Sequence, residues 1–322
     1  MKITVHIGST KTGSSALQAH LFKAREDLVA KGIWYSNSGV KSNAHHVLFA
    51  SVHPGAWEMH KDELSGDIDE RFAYFKDTLS RIISEAESAG IEHIVLSSEY
   101  WWTILPPQFR NIISLAFKEH DVRLVACIRR QDRWLEATYL QSVKSGEKRP
   151  FDEWLKARLS NPHFGGSHYL RILNYWTETL LPVETVVVPY EFTDRSEYIK
   201  RISSKVCDED VGDIVVPTTA MVVNKSPNKE GCNALLQVNQ RQQASPDRGA
   251  ELIEIMKNNS RPENTKDATL LNIAEQQRLL LRFYKINDLV VKMYCPEISG
   301  SLFDMSEFSE SEKIVASSAG HG

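Results

Sequence analysis

The residues with the clearest chemical potential form a short turn near the start of the chain, at positions 8–15. This turn follows the apolar residues Ile3, Val5 and Ile7 and precedes a segment whose apolar residues recur at helical spacing. At a helix N-terminus, free N–H groups and the positive end of the helix dipole attract phosphate or sulfate. Glycine lets the backbone wrap closely around such an anion. The sequence therefore predicts an anion site formed by Gly8, Lys11, Thr12, Gly13, Ser14 and Ser15.

The elements that must position this turn are predicted from hydrophobic periodicity. The alternating apolar residues before the turn indicate a buried strand. The helix after it has one apolar face, formed by Leu17, Leu21, Ala24 and Leu28. In the Walker A loop a lysine directly follows the second glycine, whereas Ser14 occupies that position here and the lysine lies inside the turn. The turn thus differs from an ordinary ATP-binding loop.

Composition places the chain among ordinary globular proteins. It has 322 residues, of which 42% are hydrophobic and 25% are charged, with a formal net charge of -4. This length allows a sizeable core, and the charge gives no nucleic-acid signature. No apolar run approaches a membrane span and no signal-peptide pattern precedes the first strand, so a cytoplasmic protein is expected. The four widely spaced cysteines predict neither a metal site nor a disulfide framework, and Cys127 is interpreted as a core residue.

Further strands and helices alternate along most of the chain. Strands are predicted at 93–97, 122–128 and 185–188, and a short extended segment at 32–35 is followed by a polar loop at 36–61. Helices are predicted at 68–89, 107–120, 151–159 and 169–181 and in most of the chain beyond residue 198. Such alternation favours an α/β fold with a parallel sheet flanked by helices on both faces. We expect a helical C-terminal layer, a single domain over residues 1–304 and a flexible tail over residues 305–322.

Two segments resemble known sulfate-transfer motifs. Lys11-Thr12-Gly13-Ser14-Ser15, followed by a helix, resembles the 5′-phosphosulfate-binding loop of sulfotransferases that use phosphoadenosine phosphosulfate (PAPS), above all the bacterial and glycosaminoglycan-type members. The segment 129–139 resembles the family's 3′-phosphate motif, in which a strand-terminal arginine and a helical serine bind the phosphate. Arg129 matches the arginine. The serine position falls on Ala137, and the neighbouring Thr138 is the candidate substitute.

Looser matches to bacterial sulfotransferases occur in the same order along the chain. They are Gly32-Ile33-Trp34-Tyr35, Val188-Pro189-Tyr190-Glu191, Asn224-Lys225-Ser226 and the segment from Phe283 to Tyr294. Together with the two motifs they cover most of the sequence. The resemblance implies a P-loop-like parallel sheet with a core similar to that of nucleotide kinases, and it implies PAPS as the donor co-substrate.

The resemblance also implies roles for individual residues. Lys11 is expected to stabilise the leaving 5′-phosphate, and the loop N–H groups and hydroxyls are expected to hold that phosphate. Glu99, just past the strand at 93–97, matches the place of the catalytic glutamate in glycosaminoglycan sulfotransferases and is the first candidate for the base. His46 and His45 are alternative bases, since cytosolic members of the family use histidine. A metal ion is not expected, because a sulfuryl group carries less charge than a phosphoryl group.

Two other interpretations stay open at this point. One is a kinase or NTPase with a degenerate P-loop, which would need an aspartate after an apolar strand to hold Mg²⁺; the strand ends here carry Glu99 and Arg129 instead. The other is a nucleotide-binding module without activity, which the alanine at position 137 favours. The acceptor of a sulfotransferase would be a saccharide, a lipid headgroup or another small compound with a hydroxyl or amine, and neither a membrane span nor a nucleic-acid partner is predicted.

Overall fold

The structure is a computed structural model that describes residues 1–161, 166–190, 195–214, 226–241, 248–260, 270–306 and 308. The chain divides into two compact units. The first comprises residues 1–128, 169–219 and 290–299, and the second comprises residues 129–168, 220–289 and 300–322. The single domain predicted for residues 1–304 stays a prediction.

Five strands form one sheet in the described part of the chain. They are β1 (Lys2–His6), β2 (Ile33–Trp34), β3 (His93–Ser97), β4 (Asp121–Arg129) and β5 (Glu184–Tyr190). Their order is β2-β3-β1-β4-β5; β1 pairs in parallel with β3 and β4, and β2 pairs in parallel with β3. Successive residues of β1 and β4 are buried, and since they point to opposite faces, both faces of the sheet are covered. The predicted α/β class, a parallel sheet flanked by helices, is confirmed.

The strand order creates a natural place for a ligand. After β1 the chain continues to β2 at one edge of the sheet, and after β4 it continues to β5 at the opposite edge. Because β1 and β4 are neighbours, their outgoing connections leave in opposite directions. Such a switch point opens a crevice at the carboxyl ends of the two strands, where open α/β sheets bind ligands. The predicted anion-binding loop directly follows β1.

Twelve α-helices complete the described structure. They are α1 (Ser14–Lys23), α2 (Arg25–Val29), α3 (His46–Ser51), α4 (Ile68–Ser88), α5 (Pro107–Phe117), α6 (Gln131–Lys144), α7 (Phe151–Ser160), α8 (Tyr169–Leu180), α9 (Arg195–Cys207), α10 (Lys229–Gln240), α11 (Arg248–Asn258) and α12 (Ile273–Tyr294). None of the described helices is long and apolar enough to span a membrane. The apolar face predicted after the loop is buried, because Leu17, Leu21 and Leu28 are fully inaccessible to solvent, but it is divided at Ala24 between α1 and α2.

The second unit is helical in its described part and has its own core. Helices α6, α7, α10 and α11 lie in it, together with most of α12. Its buried side chains include Trp134, Leu135, Tyr139, Trp154, Leu235 and Phe283. The helical character predicted for the C-terminal third is confirmed where the structure describes it. Of the predicted tail, only positions 305, 306 and 308 are among the described residues. Three residues of the looser matches, Glu191, Asn224 and Lys225, also lie outside the described residues.

The predicted polar loop at 36–61 is wrong in part. This segment contains α3 and a 3₁₀ turn at Ala56–His60. Val47, Leu48 and Ala50 are buried, so apolar burial stabilises a helix that is too short to show a periodic pattern. The core interpretation of Cys127 is confirmed, since its side chain is completely buried.

Candidate functional site

The predicted anion-binding loop lies at the carboxyl end of the central strand. Its first part runs beside β4, because the amides of Ile7 and Ser9 donate to β4 carbonyls at 3.0 and 2.7 Å. Gly13 has φ of +81° and forms the N-cap of α1, whose first turn contains no acidic residue. The positive end of the α1 dipole therefore faces the loop without a carboxylate in its own first turn to offset it.

Lys11 occupies an unusual backbone position in this loop. Its φ is +67°, a left-handed conformation that costs a non-glycine residue about 1–2 kcal/mol. Such strained residues concentrate at functional sites. Glycine would adopt this backbone conformation without strain. What lysine adds at this position is therefore its charged side chain. That side chain is half-buried.

Gly8 is required for close packing between the loop and β1. A Cβ atom added to Gly8 would lie 2.5 Å from Nε2 of His6 and 3.2 Å from Oγ of Ser14. His6 is fully buried, and Nε2 has no hydrogen-bond partner. A larger residue at position 8 would thus push the loop away from the end of β1.

The hydroxyl groups of the loop differ in what they can reach. Thr12 is buried and its Oγ1 donates to the Ser9 carbonyl at 2.6 Å, while the Tyr198 hydroxyl donates to the Thr12 carbonyl at 3.0 Å. Oγ of Ser14 is also buried, 3.5 Å from the Ser9 carbonyl. Ser15, in contrast, is exposed. Thr12 and Ser14 therefore shape the loop, and their contacts with an anion stay predictions.

Glu99 belongs to a hydrogen-bonded chain that reaches α1. It lies two residues beyond β3, at the start of a 3₁₀ turn. Nε2 of Gln18, on α1, donates to Oε2 of Glu99 at 2.9 Å and to Oγ of Ser97 at 3.2 Å. Oγ of Ser97 lies 2.8 Å from Nδ1 of His6. The structure therefore brings the Glu99 carboxylate together with the helix that begins at the predicted anion site.

His46 approaches the same carboxylate from the start of α3. Its Nδ1 lies 2.8 Å from Oγ of Ser98, and its Nε2 lies 4.0 Å from Oε2 of Glu99. The imidazole stacks on the Tyr100 ring, with centroids 4.4 Å apart. Burial lowers the pKa of His46 below its usual range, although the Glu99 charge opposes this shift. Burial thus favours the neutral form of His46, which lies adjacent to the candidate base.

His45 is placed differently from its neighbour. It is fully buried, its Nδ1 accepts a hydrogen bond from the Ser97 amide at 3.2 Å, and its own amide donates to the Ser97 carbonyl at 2.9 Å. Burial lowers the pKa of His45 to about 3. These contacts fix the chain before α3 to the end of β3, which is a structural role.

The two tryptophans after Glu99 belong to the core. Trp101 is fully buried and stacks on Trp176 with centroids 4.7 Å apart and ring planes 8° apart. Trp102 is also buried. These contacts place both side chains in the packed interior.

The predicted 3′-phosphate motif lies in the second unit, beginning at the last residue of β4. Arg130 is buried and forms a bidentate pair with Asp132, with both N–O distances 2.8 Å. Arg129 is half-buried. The Thr138 hydroxyl donates to the Trp134 carbonyl one turn earlier, at 2.7 Å. Arg130 is therefore structural, and phosphate contacts of Arg129 and Thr138 stay predictions.

Sequence reasoning assigned no role to His6, Gln18 or Ser97. A weak signal existed for two of them, since His6 interrupts an apolar strand and Gln18 adjoins the buried face of α1. Polar residues at buried positions need partners, and here they are partners of one another. Among the described residues, no group of three or more His, Cys, Asp or Glu side chains is arranged to hold a metal ion.

The buried His6 makes a testable contribution to acid stability. Burial lowers its pKa from 6.5 to about 4, with the Glu99 charge partly opposing the shift. A depressed folded-state pKa gives stability that is present above pH 6.5 and is lost as the pH falls toward 4. At 1.36 kcal/mol per pKa unit, the free energy of unfolding should fall by about 3 kcal/mol more over this interval in the wild type than in His6→Gln. Urea unfolding at a series of pH values measures the difference, and equal slopes would contradict the assignment.

Comparisons with known proteins found one weakly similar solved structure. No protein-family model matches this chain. A search of curated proteins found no match either. A solved structure of a sulfotransferase from Alicyclobacillus acidocaldarius is similar over 79% of this chain and 95% of its own, with a TM-score of 0.41 and 14% sequence identity. At this level of similarity the neighbouring structure does not assign a function to the chain.

Proposed function

We propose that this protein is a sulfotransferase that moves the sulfuryl group of PAPS to an acceptor hydroxyl or amine. The observation that carries the proposal is the link between a lysine-bearing loop at the start of α1 and a carboxylate at the end of β3. Gln18 makes that link, since it lies on α1 and donates to Glu99 at 2.9 Å. An in-line transfer requires a site that holds the sulfuryl donor, here the loop, and a base that takes the proton of the acceptor, here Glu99.

The loop offers what a 5′-phosphosulfate group needs. The backbone amides at the start of α1, the charge of Lys11 and the exposed hydroxyl of Ser15 all favour an anion at this position. Gly8 and Gly13 present no side chain that would keep the anion from the backbone. As the bond between sulfur and the bridging oxygen breaks, negative charge collects on the leaving 5′-phosphate, and Lys11 stabilises it.

Glu99 serves the acceptor. The acceptor oxygen forms a bond to sulfur while its proton passes to the Glu99 carboxylate, and the bisphosphate product, phosphoadenosine phosphate, leaves. His46 lies beside this carboxylate, and burial lowers its pKa and so favours the neutral imidazole. We assign the base to Glu99 and a supporting position in the acceptor site to His46.

Calorimetric titration with PAPS, phosphoadenosine phosphate and ATP tests the proposal. We expect both adenosine bisphosphate compounds to bind more tightly than ATP, with added magnesium making no difference to that order. A preference for ATP with magnesium would favour the kinase interpretation instead. PAPS binding without release of the bisphosphate in the presence of pooled hydroxyl and amine acceptors would favour a nucleotide-binding module.

A further inference from the structure

Gln18 has an arrangement of hydrogen bonds that a core residue of a helix does not require. Its side chain is 1% exposed, and its Nε2 atom donates both of its hydrogens, one to Ser97 and one to Glu99. Because an amide nitrogen carries two hydrogens, Nε2 has no donor left for any other group. The position of the amide is thereby fixed from two sides.

The Ser97 side of this arrangement is rigid. Ser97 is the last residue of β3, and its Oγ also lies 2.8 Å from Nδ1 of His6 at the end of β1. All three side chains are buried, and the two strands pair directly at these residues. The Gln18 amide is therefore held against the sheet, and its second hydrogen is directed at Glu99.

Only one of the two carboxylate oxygens of Glu99 is used in these side-chain contacts among the described residues. In the part of the chain that the structure describes, both contacts of this carboxylate, with Gln18 at 2.9 Å and with His46 at 4.0 Å, use Oε2. The remaining oxygen, Oε1, is then the atom that can accept a proton from a bound acceptor. A carboxylate without these contacts would rotate about its terminal bond, which has a broad torsional preference.

We propose that Gln18 is a positioning residue that holds Glu99 through Oε2 and so presents Oε1 to the acceptor. This inference rests on the proposed function, because it assumes that Glu99 is the base. Gln18 itself touches neither substrate nor the reacting atoms. It also lies one turn after Ser14, so the helix that begins at the anion-binding loop carries the group that orients the base.

The test has a kinetic arm that uses Gln18→Met, which keeps the length of the side chain and removes both donors. Because a hydrogen bond to a charged group is lost, kcat should fall about 10- to 100-fold. The KM for the acceptor and the dissociation constant of phosphoadenosine phosphate should change little. Gln18→Asn, whose amide is one methylene too short to reach Glu99, should show the same pattern if Gln18→Met does not fold. Gln108→Met, at an exposed glutamine of α5, is the matched control and should behave as wild type.

A spectroscopic arm does not depend on turnover. In ¹⁵N–¹H spectra of the wild type, one side-chain amide proton of Gln18 should be shifted and protected from solvent exchange, and Glu99→Gln should change that signal. Wild-type kcat in both Gln18 variants, or an amide signal indifferent to Glu99→Gln, would overturn the proposal. If no form of the protein transfers sulfuryl groups, the proposed function fails, and the amide signal alone decides whether Gln18 fixes the carboxylate.

Discussion

Lys11→Ala should slow sulfuryl transfer by about 10²- to 10³-fold while leaving the fold intact, the cost typical of removing one group that stabilises transition-state charge. The fold should survive because alanine and lysine bear the same backbone strain at φ +67°. The effect should appear in kcat, since the charge on the leaving phosphate develops only as the bond to sulfur breaks. Single-turnover transfer at saturating PAPS measures the rate, and thermal unfolding checks the fold.

Lys23→Ala supplies the control for this experiment. Lys23 is the last residue of α1, is exposed and lies at the end of the helix opposite the loop. The control removes the same charge at the far end of α1, away from the loop, so it should leave the rate unchanged. A folded Lys11→Ala protein that turns over at the wild-type rate would show that the loop lysine does not serve the leaving group.

Glu99→Gln should reduce the rate of transfer by about 10²- to 10⁴-fold, the usual contribution of a positioned base. Glutamine is nearly isosteric with glutamate, and its carbonyl oxygen can still accept the hydrogen bond from Gln18. The variant should therefore retain its fold and its affinity for PAPS. Single-turnover transfer with one accepted substrate, at matched saturation with PAPS, isolates the chemical step.

Two further variants sharpen the assignment of the base. Glu92→Gln changes an exposed glutamate just before β3, at the end of that strand opposite Glu99, and should be silent. His46→Ala should mainly raise the acceptor KM. If Glu99→Gln runs at the wild-type rate while His46→Ala is inactive, the base is His46. His45→Ala is a poor comparison, because loss of the buried imidazole and of its hydrogen bond with the Ser97 amide should destabilise the fold.

Much of the fold could be predicted from sequence for a physical reason. Strands of a parallel sheet are buried on both faces and appear as short apolar runs, as in β3 and β4. Long helices such as α4 show a clear period, and the Asp67 capping box and Gly90 mark its ends. The helix α3 could not be predicted, since six residues beginning with a histidine give no period to detect.

Individual residues of the candidate site could be predicted from the sequence, but the contacts between them could not. Lys11 and Glu99 could be placed because each follows a recognisable strand, and strand ends are where α/β folds position functional groups. The contacts that join these parts could not be predicted. Gln18 and Ser97 are 79 positions apart and His6 and Ser97 are 91 apart, so their meeting depends on the register between β1 and β3. Hydrophobic pattern does not encode side-chain hydrogen bonds between such distant residues.

In the proposed function, the loop after β1 binds the 5′-phosphate of the sulfuryl donor. Backbone amide ¹⁵N–¹H spectra of the deuterated protein, recorded during titration with phosphoadenosine phosphate, test it residue by residue. Saturable shifts should be largest at Gly13, Ser14 and Ser15, and they should be lost in Lys11→Ala at the same nucleotide concentration. Saturable binding that leaves these amides unmoved, or the absence of any saturable shift, would contradict the account.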